Sequence, residues 1–297
     1  MTISRSLVLL LTCFFIAACG VEPDPSNQLT QPDAGGFDAD YDADRDAYHN
    51  DAGMSDAPDV GDDTGEPLPH WDCDPHFPVG TVRYRDIEDL SDVDLFIALY
   101  NQVGGHTNRG YNNARDYMFN HLDVRDDGML ECVYTARRVE PDGSRTPDGF
   151  NTEHIWPQSR GAGEEPMRSD LHHLTPIDAD ANNARAAYEF GNVDCDENTC
   201  PWHEGGSFLG PSADDDRELV FQVRPDRRGD MARAILYFSL RYGQNVSAEE
   251  EAVLRQWNCE DPPDDFERAR NDALNVFQNN RNPFIDRPDF VDQISEF

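Results

Sequence analysis

Residues 151–159 read Asn-Thr-Glu-His-Ile-Trp-Pro-Gln-Ser, so a carboxylate, an imidazole and amide side chains stand together just before and after a proline. The segment from Phe150 to Ile155 predicts a short strand with Glu153 and His154 at its end, because Pro157 lacks the N–H that a strand ladder needs. Adjacent residues of a regular strand face opposite sides, but they diverge less at a strand end. This mixture of polar groups indicates a site rather than a core.

Two further polar segments follow the first. Residues 171–175 predict a second strand, and residues 180–188 predict a helix on which Asn182 and Arg185, three apart, share one face. The order strand, loop, strand and helix is expected to gather the polar side chains of these segments, which read Arg-Ser-Asp-Leu-His-His-Leu-Thr-Pro at 168–176 and Asn-Asn-Ala-Arg at 182–185.

The chemistry of these side chains fits phosphodiester hydrolysis. A carboxylate on Glu153 and an amide oxygen on Asn182 are hard ligands that suit Mg²⁺, Mn²⁺ or Ca²⁺ better than zinc. A neutral His154 can take a proton from an attacking water, and Arg185 can fork onto a phosphate.

Each candidate also has a structural interpretation. His154 can be a structural histidine, Glu153 can pair with an arginine, and Asn182 can be an exposed helix residue. Trp156 is expected to pack beneath the site, with base stacking as the alternative. His172 and His173 are expected either to support the site or to contact substrate directly. Three further histidines are expected to be structural: His106, His121 and His203.

The three polar segments resemble the endonuclease I family of periplasmic and secreted bacterial nucleases. The likeness extends over about residues 85–295 and is greatest to the secreted ribonuclease-like branch. It rests also on the segments 105–106, 111–122, 133–135, 228–234 and 280–286.

The resemblance implies an α+β fold with a ββα-metal (His-Me finger) core surrounded by helices. It implies that His154 is the general base and that Glu153 and Asn182 bind magnesium. It also implies an arginine on the scissile phosphate, for which the candidates are Arg160, Arg168 and Arg185.

The expected activity is metal-dependent endonuclease cleavage of DNA, RNA or both, with little sequence preference and 5′-phosphate products. The alternatives are an enzyme mainly for RNA and a non-catalytic surface lipoprotein that binds nucleic acid or another partner. We expect a monomer.

The N-terminal region predicts export. Residues 1–19 form a basic and then apolar signal that ends at Cys19 and resembles a lipobox, which implies an outer-membrane lipid anchor; ordinary secretion is the alternative. Residues 20–70 are rich in Asp, Ala, Gly and Pro and predict a disordered acidic tether, because they lack apolar surface to bury. An alternate-aspartate run at 38–44 lacks the glycine and distal glutamate of a calcium loop. The nuclease domain is predicted at 71–297.

The charge of the chain excludes nucleic-acid binding by bulk electrostatics. The net charge is −35, and residues 1–70 hold 14 acidic and two basic residues, so −23 falls on residues 71–297. All 24 basic residues are arginine. Substrate attraction must therefore be local, and the acidic, lysine-free composition suggests adaptation to a salty habitat.

The cysteines predict disulfides. With Cys19 as the lipid site, five cysteines remain downstream, so at least one is unpaired or pairs between molecules. We predict a bond between Cys195 and Cys200 in preference to a zinc site with His203. Cys73 is expected to pair with either of two partners, Cys132 or Cys259.

The remaining periodicity predicts further elements. They are helices at 94–103, 111–122, 231–242 (capped by Asp230 and ended by Gly243) and 266–277 (with Ala269, Ala273 and Leu274 or Phe277 inward), a strand at 129–134, and an extended segment at 280–286.

Overall fold

A computed structural model describes residues 82–297, all of which belong to one unit. The predicted signal at 1–19, the tether at 20–70 and the first residues of the predicted domain lie outside the described residues, as do Cys19 and Cys73. From residue 82 onward, the protein has no helix that is both long enough and apolar enough to cross a bilayer.

The helices and strands are grouped along the chain, with two helices first, two runs of strands separated by a short helix, and four helices last. In order they are α1 (Asp92–Val103), α2 (Tyr111–Tyr117), β1 (Leu130–Glu131), β2 (Arg138–Val139), β3 (Phe150–His154), β4 (Leu174–Asp178), α3 (Ala179–Arg185), β5 (Trp202–Glu204), β6 (Ser207–Gly210), β7 (Val220–Gln222), α4 (Arg228–Tyr242), α5 (Ala248–Glu260), α6 (Asp265–Phe277) and α7 (Pro283–Asp286). Short 3-10 turns occupy Val82–Ile87, Pro147–Gly149, Gln158–Arg160, Met167–Ser169, Leu171–His173, Pro225–Arg227 and Pro288–Gln293, and a π-helical turn, Met118–Leu122, extends α2.

Small antiparallel sheets join these strands. β1 pairs with β2, β3 with β4, and β5 with β6 and β7. In the β3–β4 hairpin, Glu153 lies opposite Thr175 and His154 lies opposite Leu174. The Asp178 side chain accepts a hydrogen bond from the Asp180 N–H and starts α3 directly after β4. Helices around small antiparallel sheets confirm the α+β class.

Helix α4 forms the centre of the core. Its side chains from Met231 to Leu240 are all buried, and it packs against α1, α5 and α7. Gly243 ends it in the left-handed conformation, as predicted. The helix begins at Arg228, earlier than predicted, so Asp230 lies in its first turn instead of capping it. A carboxylate there still favours the positive end of the helix dipole.

Several predicted elements are confirmed within one or two residues. They are α1, α2 with its π-helical extension, β3 and α6. In α6 Leu274 is fully buried, but Ala269 is exposed, so its predicted inward position is wrong.

Other predictions are corrected by local hydrogen bonding. Residues 171–173 form a 3-10 turn because the Asp170 side chain accepts from the His172 N–H, so the second strand starts only at Leu174. α3 ends at Arg185 because Ala186 has a φ of 47°. The predicted strand at 129–134 shrinks to β1, and the segment predicted to be extended contains α7, which the Asn282 side chain caps. Neither α5 nor the β5–β7 sheet was predicted from the sequence.

The cysteines largely follow the expectation. Cys195 and Cys200 form the predicted disulfide. Cys132 is a buried free thiol, and Cys259 is disulfide-bonded.

Candidate active site

Glu153 lies at the end of β3 and is buried, with 2% of its surface exposed. Its Oε1 accepts a hydrogen bond from the Tyr134 hydroxyl at 2.9 Å, whereas its Oε2 accepts none from residues 82–297. Burial raises the pKa of the Glu153 carboxyl, while the charge of Arg185 and the Tyr134 hydrogen bond act in the opposite direction. One carboxylate oxygen is thus fixed, and the other is available to a ligand.

Arg185 forms a buried ion pair with the same carboxylate. Its Nε lies 3.4 Å from Glu153 Oε1, and its side chain is fully buried. The guanidinium donates to the carbonyls of Ile155 and Ala186 and stacks over the Phe190 ring at 4.9 Å. Its Nε makes no hydrogen bond in the described part of the chain. The helix α3 therefore aims Arg185 at Glu153 and away from solvent.

Tyr134 is held by a segment outside the hairpin. Its carbonyl accepts from the Ser207 hydroxyl at 2.8 Å, and its ring lies 4.8 Å from that of Phe221. A Cβ on Gly205 would lie 2.2 Å from the Thr135 carbonyl oxygen, so only glycine permits this close approach of the β5–β6 turn. Burial raises the pKa of Tyr134, and the hydroxyl stays protonated as a donor to Glu153.

Asn182 lies in the middle of α3 and is half-buried. Its side-chain amide makes no hydrogen bond to any described residue. Residues 82–297 hold no group of three or more His, Cys, Asp or Glu side chains that could bind a metal. A carboxylate oxygen and an amide oxygen, with waters in the other positions, are compatible with Mg²⁺, which keeps several waters.

His154 is a buried, neutral imidazole. Its Nε2 lies 3.1 Å from the Arg168 carbonyl, which can only accept, so Nε2 carries the proton and Nδ1 keeps its lone pair. The Gln158 amide donates to Nδ1 at 3.1 Å. Burial, with smaller contributions from His173 and two arginines, lowers the pKa of His154 to about 3. Gln158 is exposed, so water can replace its amide at Nδ1.

Two arginines without carboxylate partners flank His154. The Tyr111 ring lies 5.5 Å from the His154 ring, and the guanidinium carbons of Arg168 and Arg115 lie 4.5 and 5.4 Å from the Tyr111 ring. Arg168 is exposed, and Arg115 donates only to neutral groups, the Thr152 hydroxyl and the Arg145 carbonyl. Within the described residues neither forms an ion pair. Positive charge is therefore available beside His154.

Arg160 lies apart from this group. Its guanidinium pairs with Glu250 at 3.4 Å and with Glu189 at 3.5 Å, and it stacks over the Trp156 ring. Trp156 is buried and stacks on Phe238 of α4, which confirms that it packs beneath the hairpin. Both residues hold the loop between β3 and β4 onto the core.

His172 and His173 are buried in the same loop. The His173 Nε2 donates to the Met167 carbonyl at 2.7 Å, and its ring meets the edge of the His154 ring at 5.6 Å. Beside them, the buried Asp170 accepts hydrogen bonds from Tyr237, Tyr242 and Gln278. This network fixes the turn that presents the Arg168 carbonyl to His154.

Asn182 lies one turn before Arg185 on α3. The structure brings together Glu153, His154, Arg168 and Arg185 on the hairpin, its loop and α3. It adds residues that the sequence analysis did not select, namely Tyr111, Arg115, Tyr134, Gln158 and Asp170. Tyr111, Arg115 and Tyr134 lie in segments that carry the family resemblance, but no local pattern assigned them to the site. The partner of Tyr134 lies nineteen residues away on β3.

Comparison with known proteins shows which proteins the chain resembles. A sequence model of the family Endonuclease I matches residues 93–289. The chain is 30% identical over 234 residues to an extracellular ribonuclease of Bacillus subtilis (strain 168), covering 71% of this chain and 77% of that protein. It is 34% identical over 124 residues to an extracellular deoxyribonuclease of Aeromonas hydrophila, covering 41% of this chain and 51% of that protein.

The matched range contains the whole site, from Tyr111 to Arg185. The protein is therefore a hydrolase that cleaves phosphodiester bonds inside nucleic acid chains. It belongs to the endonuclease I family.

Proposed function

We propose that this protein is an exported, divalent-metal-dependent endonuclease with little sequence preference that cleaves DNA, RNA or both and leaves 5′-phosphates. The observation that carries the proposal is the pairing of a neutral His154, with an Nδ1 lone pair, and an adjacent Glu153 with one uncommitted carboxylate oxygen. In this proposal β3, β4 and α3 form a ββα-metal core.

Glu153 and Asn182 would hold the metal ion, and Mg²⁺ fits this donor set best. A bound divalent ion would neutralise the charge that develops on the phosphate and the leaving oxygen. Tyr134 and Arg185 bind Glu153 Oε1 and so leave Oε2 toward the ion. This contact is also the reason to assign Arg185 a positioning role, since no part of its fully buried side chain can reach a substrate phosphate.

His154 takes the proton of the attacking water at Nδ1. The Arg168 carbonyl keeps the other ring nitrogen protonated, so the acceptor always stands at Nδ1. The water attacks phosphorus, the bond to the 3′ oxygen breaks, and the phosphate stays on the 5′ carbon. Arg168, exposed and without an ion-pair partner among residues 82–297, is the arginine we assign to the scissile phosphate, with Arg115 as a second positive charge.

The relatives support nucleic acid as substrate without separating its types. The ribonuclease of Bacillus subtilis matches across most of the domain, and the deoxyribonuclease of Aeromonas hydrophila matches over a shorter range. Phosphate contacts carry no base information, which is consistent with low sequence preference. RNA, single-stranded DNA and duplex DNA are therefore all to be assayed.

Export is supported by the names of relatives that are extracellular or periplasmic. A lipid anchor on Cys19 is the finer proposal. Replacing Cys19 by Ser should release the protein from membranes during fractionation; a variant that stays membrane-bound would contradict the anchor.

The activity is tested with His154→Ala and a matched control, His203→Ala, on β5 with an exposed side chain. Wild type and His203→Ala should cleave the three substrates with Mg²⁺ and stop when EDTA is added. His154→Ala should lose cleavage by about 10²-fold or more while it keeps its melting temperature and its Mn²⁺ binding. Full activity in His154→Ala, or in EDTA, would refute the mechanism. A wild type that binds but never cleaves would indicate the non-catalytic alternative.

A further inference from the structure

A groove of about 970 Å³ lies between α2 and the end of α6. Its floor contains the rings of Tyr117 and Phe277, stacked with centroids 4.0 Å apart and planes within 3°. Val276 stands at its rim with 83% of its surface exposed. Exposed apolar and aromatic surface on an acidic, highly polar domain is typical of a binding site.

The groove is less acidic than the rest of the domain. Arg109 lies 5.5 Å from the Phe277 ring and donates its Nε to the Phe277 carbonyl, and no described carboxylate pairs with it. The one carboxylate of the lining, Asp116, is neutralised by two hydrogen bonds from Arg145 at 2.6 and 2.7 Å. A positive charge that is free to bind a phosphate therefore lies beside a stacked aromatic pair.

Polar groups in the groove are also suited to bases. Asn113 and Asn120 donate their side-chain amides to the carbonyls of Arg109 and Asp116, which leaves both amide oxygens as acceptors. Aromatic faces, amide acceptors and an arginine are the combination by which proteins bind single strands without sequence preference.

The groove adjoins the candidate active site through one turn of chain. Gly110, with a φ of 78°, separates Arg109 from Tyr111, the residue whose ring lies 5.5 Å from that of His154. A substrate strand that leaves the scissile phosphate on this side would meet Arg109 next.

A second groove of the described surface provides a contrast. It measures about 480 Å³, and its charged lining residues are Asp92 and Glu296, with no arginine. Val93 lies on it with 66% exposure. This groove has apolar surface but no group to bind a phosphate.

We propose that the α2–α6 groove is a binding subsite for the single-stranded part of the substrate that flanks the cleavage point, with Tyr117 and Phe277 as the stacking platform and Arg109 as the phosphate contact. The proposal rests on the nuclease activity proposed above. It predicts that the enzyme prefers long single strands to dinucleotides and to duplexes.

Val276→Glu and Arg109→Gln test the subsite, with Val93→Glu as the matched control. Both glutamates enter at exposed helix positions, so all three variants should keep the wild-type melting temperature. Cleavage is measured on a dinucleotide and on a single strand of about 12 nucleotides, and binding is measured with the same strand in the inactive His154→Ala background.

The expected result is a KM and Kd for the long strand raised about tenfold in Val276→Glu and Arg109→Gln, with dinucleotide hydrolysis unchanged. Arg109→Gln should also reduce the slope of log Kd against log salt by about 0.7. Val93→Glu should behave as wild type.

Two outcomes would overturn the subsite. In the first, Val276→Glu and Val93→Glu change KM and Kd for the long strand equally. In the second, Val276→Glu and Arg109→Gln slow cleavage of the long strand and of the dinucleotide by the same factor. Failure of the subsite is distinct from failure of the proposed activity, because the first leaves cleavage of the long strand by wild type intact. A wild type that does not cleave this strand with Mg²⁺ present would count against the activity itself.

Discussion

The guanidinium of Arg185 lies 3.4 Å from the Glu153 carboxylate, and both side chains are buried. Removing one partner of such a pair leaves an uncompensated charge in a dry interior, which costs about 3–5 kcal/mol. Arg185→Ala should therefore lower the free energy of urea unfolding by that amount. The double variant Arg185→Met with Glu153→Gln should recover part of the loss, because no lone charge remains. Unchanged stability of Arg185→Ala would contradict the observed pairing.

Tyr134 should affect metal affinity more than it affects catalysis at saturating metal. Its hydroxyl fixes Glu153 Oε1 at 2.9 Å, and groups that orient metal ligands typically change affinity 10- to 100-fold. We expect Tyr134→Phe to weaken Mn²⁺ binding about tenfold or more in calorimetry, with kcat at saturating metal little changed.

Tyr84 supplies the control for this change. It is equally buried and donates to the Asp286 carboxylate at 2.8 Å, far along the chain from the hairpin. Tyr84→Phe should lose a similar stability, about 1–2 kcal/mol, and keep the wild-type Mn²⁺ affinity. Equal Mn²⁺ affinity of Tyr134→Phe and Tyr84→Phe would show that Tyr134 does not orient a metal ligand.

Replacing Arg168 should lower activity, whereas replacing Arg160 should lower stability. Arg168 is exposed and has no ion-pair partner in the described chain, so Arg168→Ala should lower kcat/KM by about 10²-fold with unchanged stability. Arg160 is bound to the buried Glu250, so Arg160→Ala should cost about 1–3 kcal/mol of stability and leave kcat/KM within a few-fold. The reverse result, from kinetics and thermal melts of the two purified variants, would assign the phosphate contact to Arg160.

The sequence predicts the positions of those site residues that depend only on their neighbours in the chain. Pro157 limits β3, so the positions of Glu153 and His154 at a strand end follow from local rules. The helical spacing of Asn182 and Arg185 likewise holds in α3. Local rules do not predict that Arg185 is buried, because the residues that cover it, Phe190 and Glu153, lie outside α3.

Long-range contacts account for the residues that were missed. Arg115 reaches Thr152 across thirty-seven positions, and Tyr134, in the turn after β1, reaches Glu153 across nineteen. The strand prediction failed at 171–173 for a different reason. One hydrogen bond, from the His172 N–H to the Asp170 side chain, holds this short segment in a turn. Periodicity does not register either kind of contact.

The pH dependence of catalysis should lack a histidine ionisation near neutrality. Burial, followed by His173, lowers the pKa of His154 to about 3, so the base is already unprotonated throughout the neutral range. Because a lowered pKa extends the active neutral form to lower pH, log kcat/KM at saturating metal should be flat from about pH 5 to 8. A profile that falls with an apparent pKa near 6.5 would show that His154 is solvated in the working enzyme.

Asp261 should make the protein less stable as pH rises. Burial and the neighbouring Asp230 raise its pKa to about 6, although Arg233 and Arg227 oppose this. The folded state therefore holds the proton more tightly than the unfolded state, so this contribution to stability is present below about pH 4 and is lost as pH rises through 6.

Asp261→Asn keeps an oxygen to accept from the Gly229 N–H and removes the charge. Its melting temperature should exceed that of wild type near pH 7.5 and not near pH 4. Asp216→Asn, at an exposed position, should show no such difference, and equal behaviour of the two variants would exclude Asp261 as the cause.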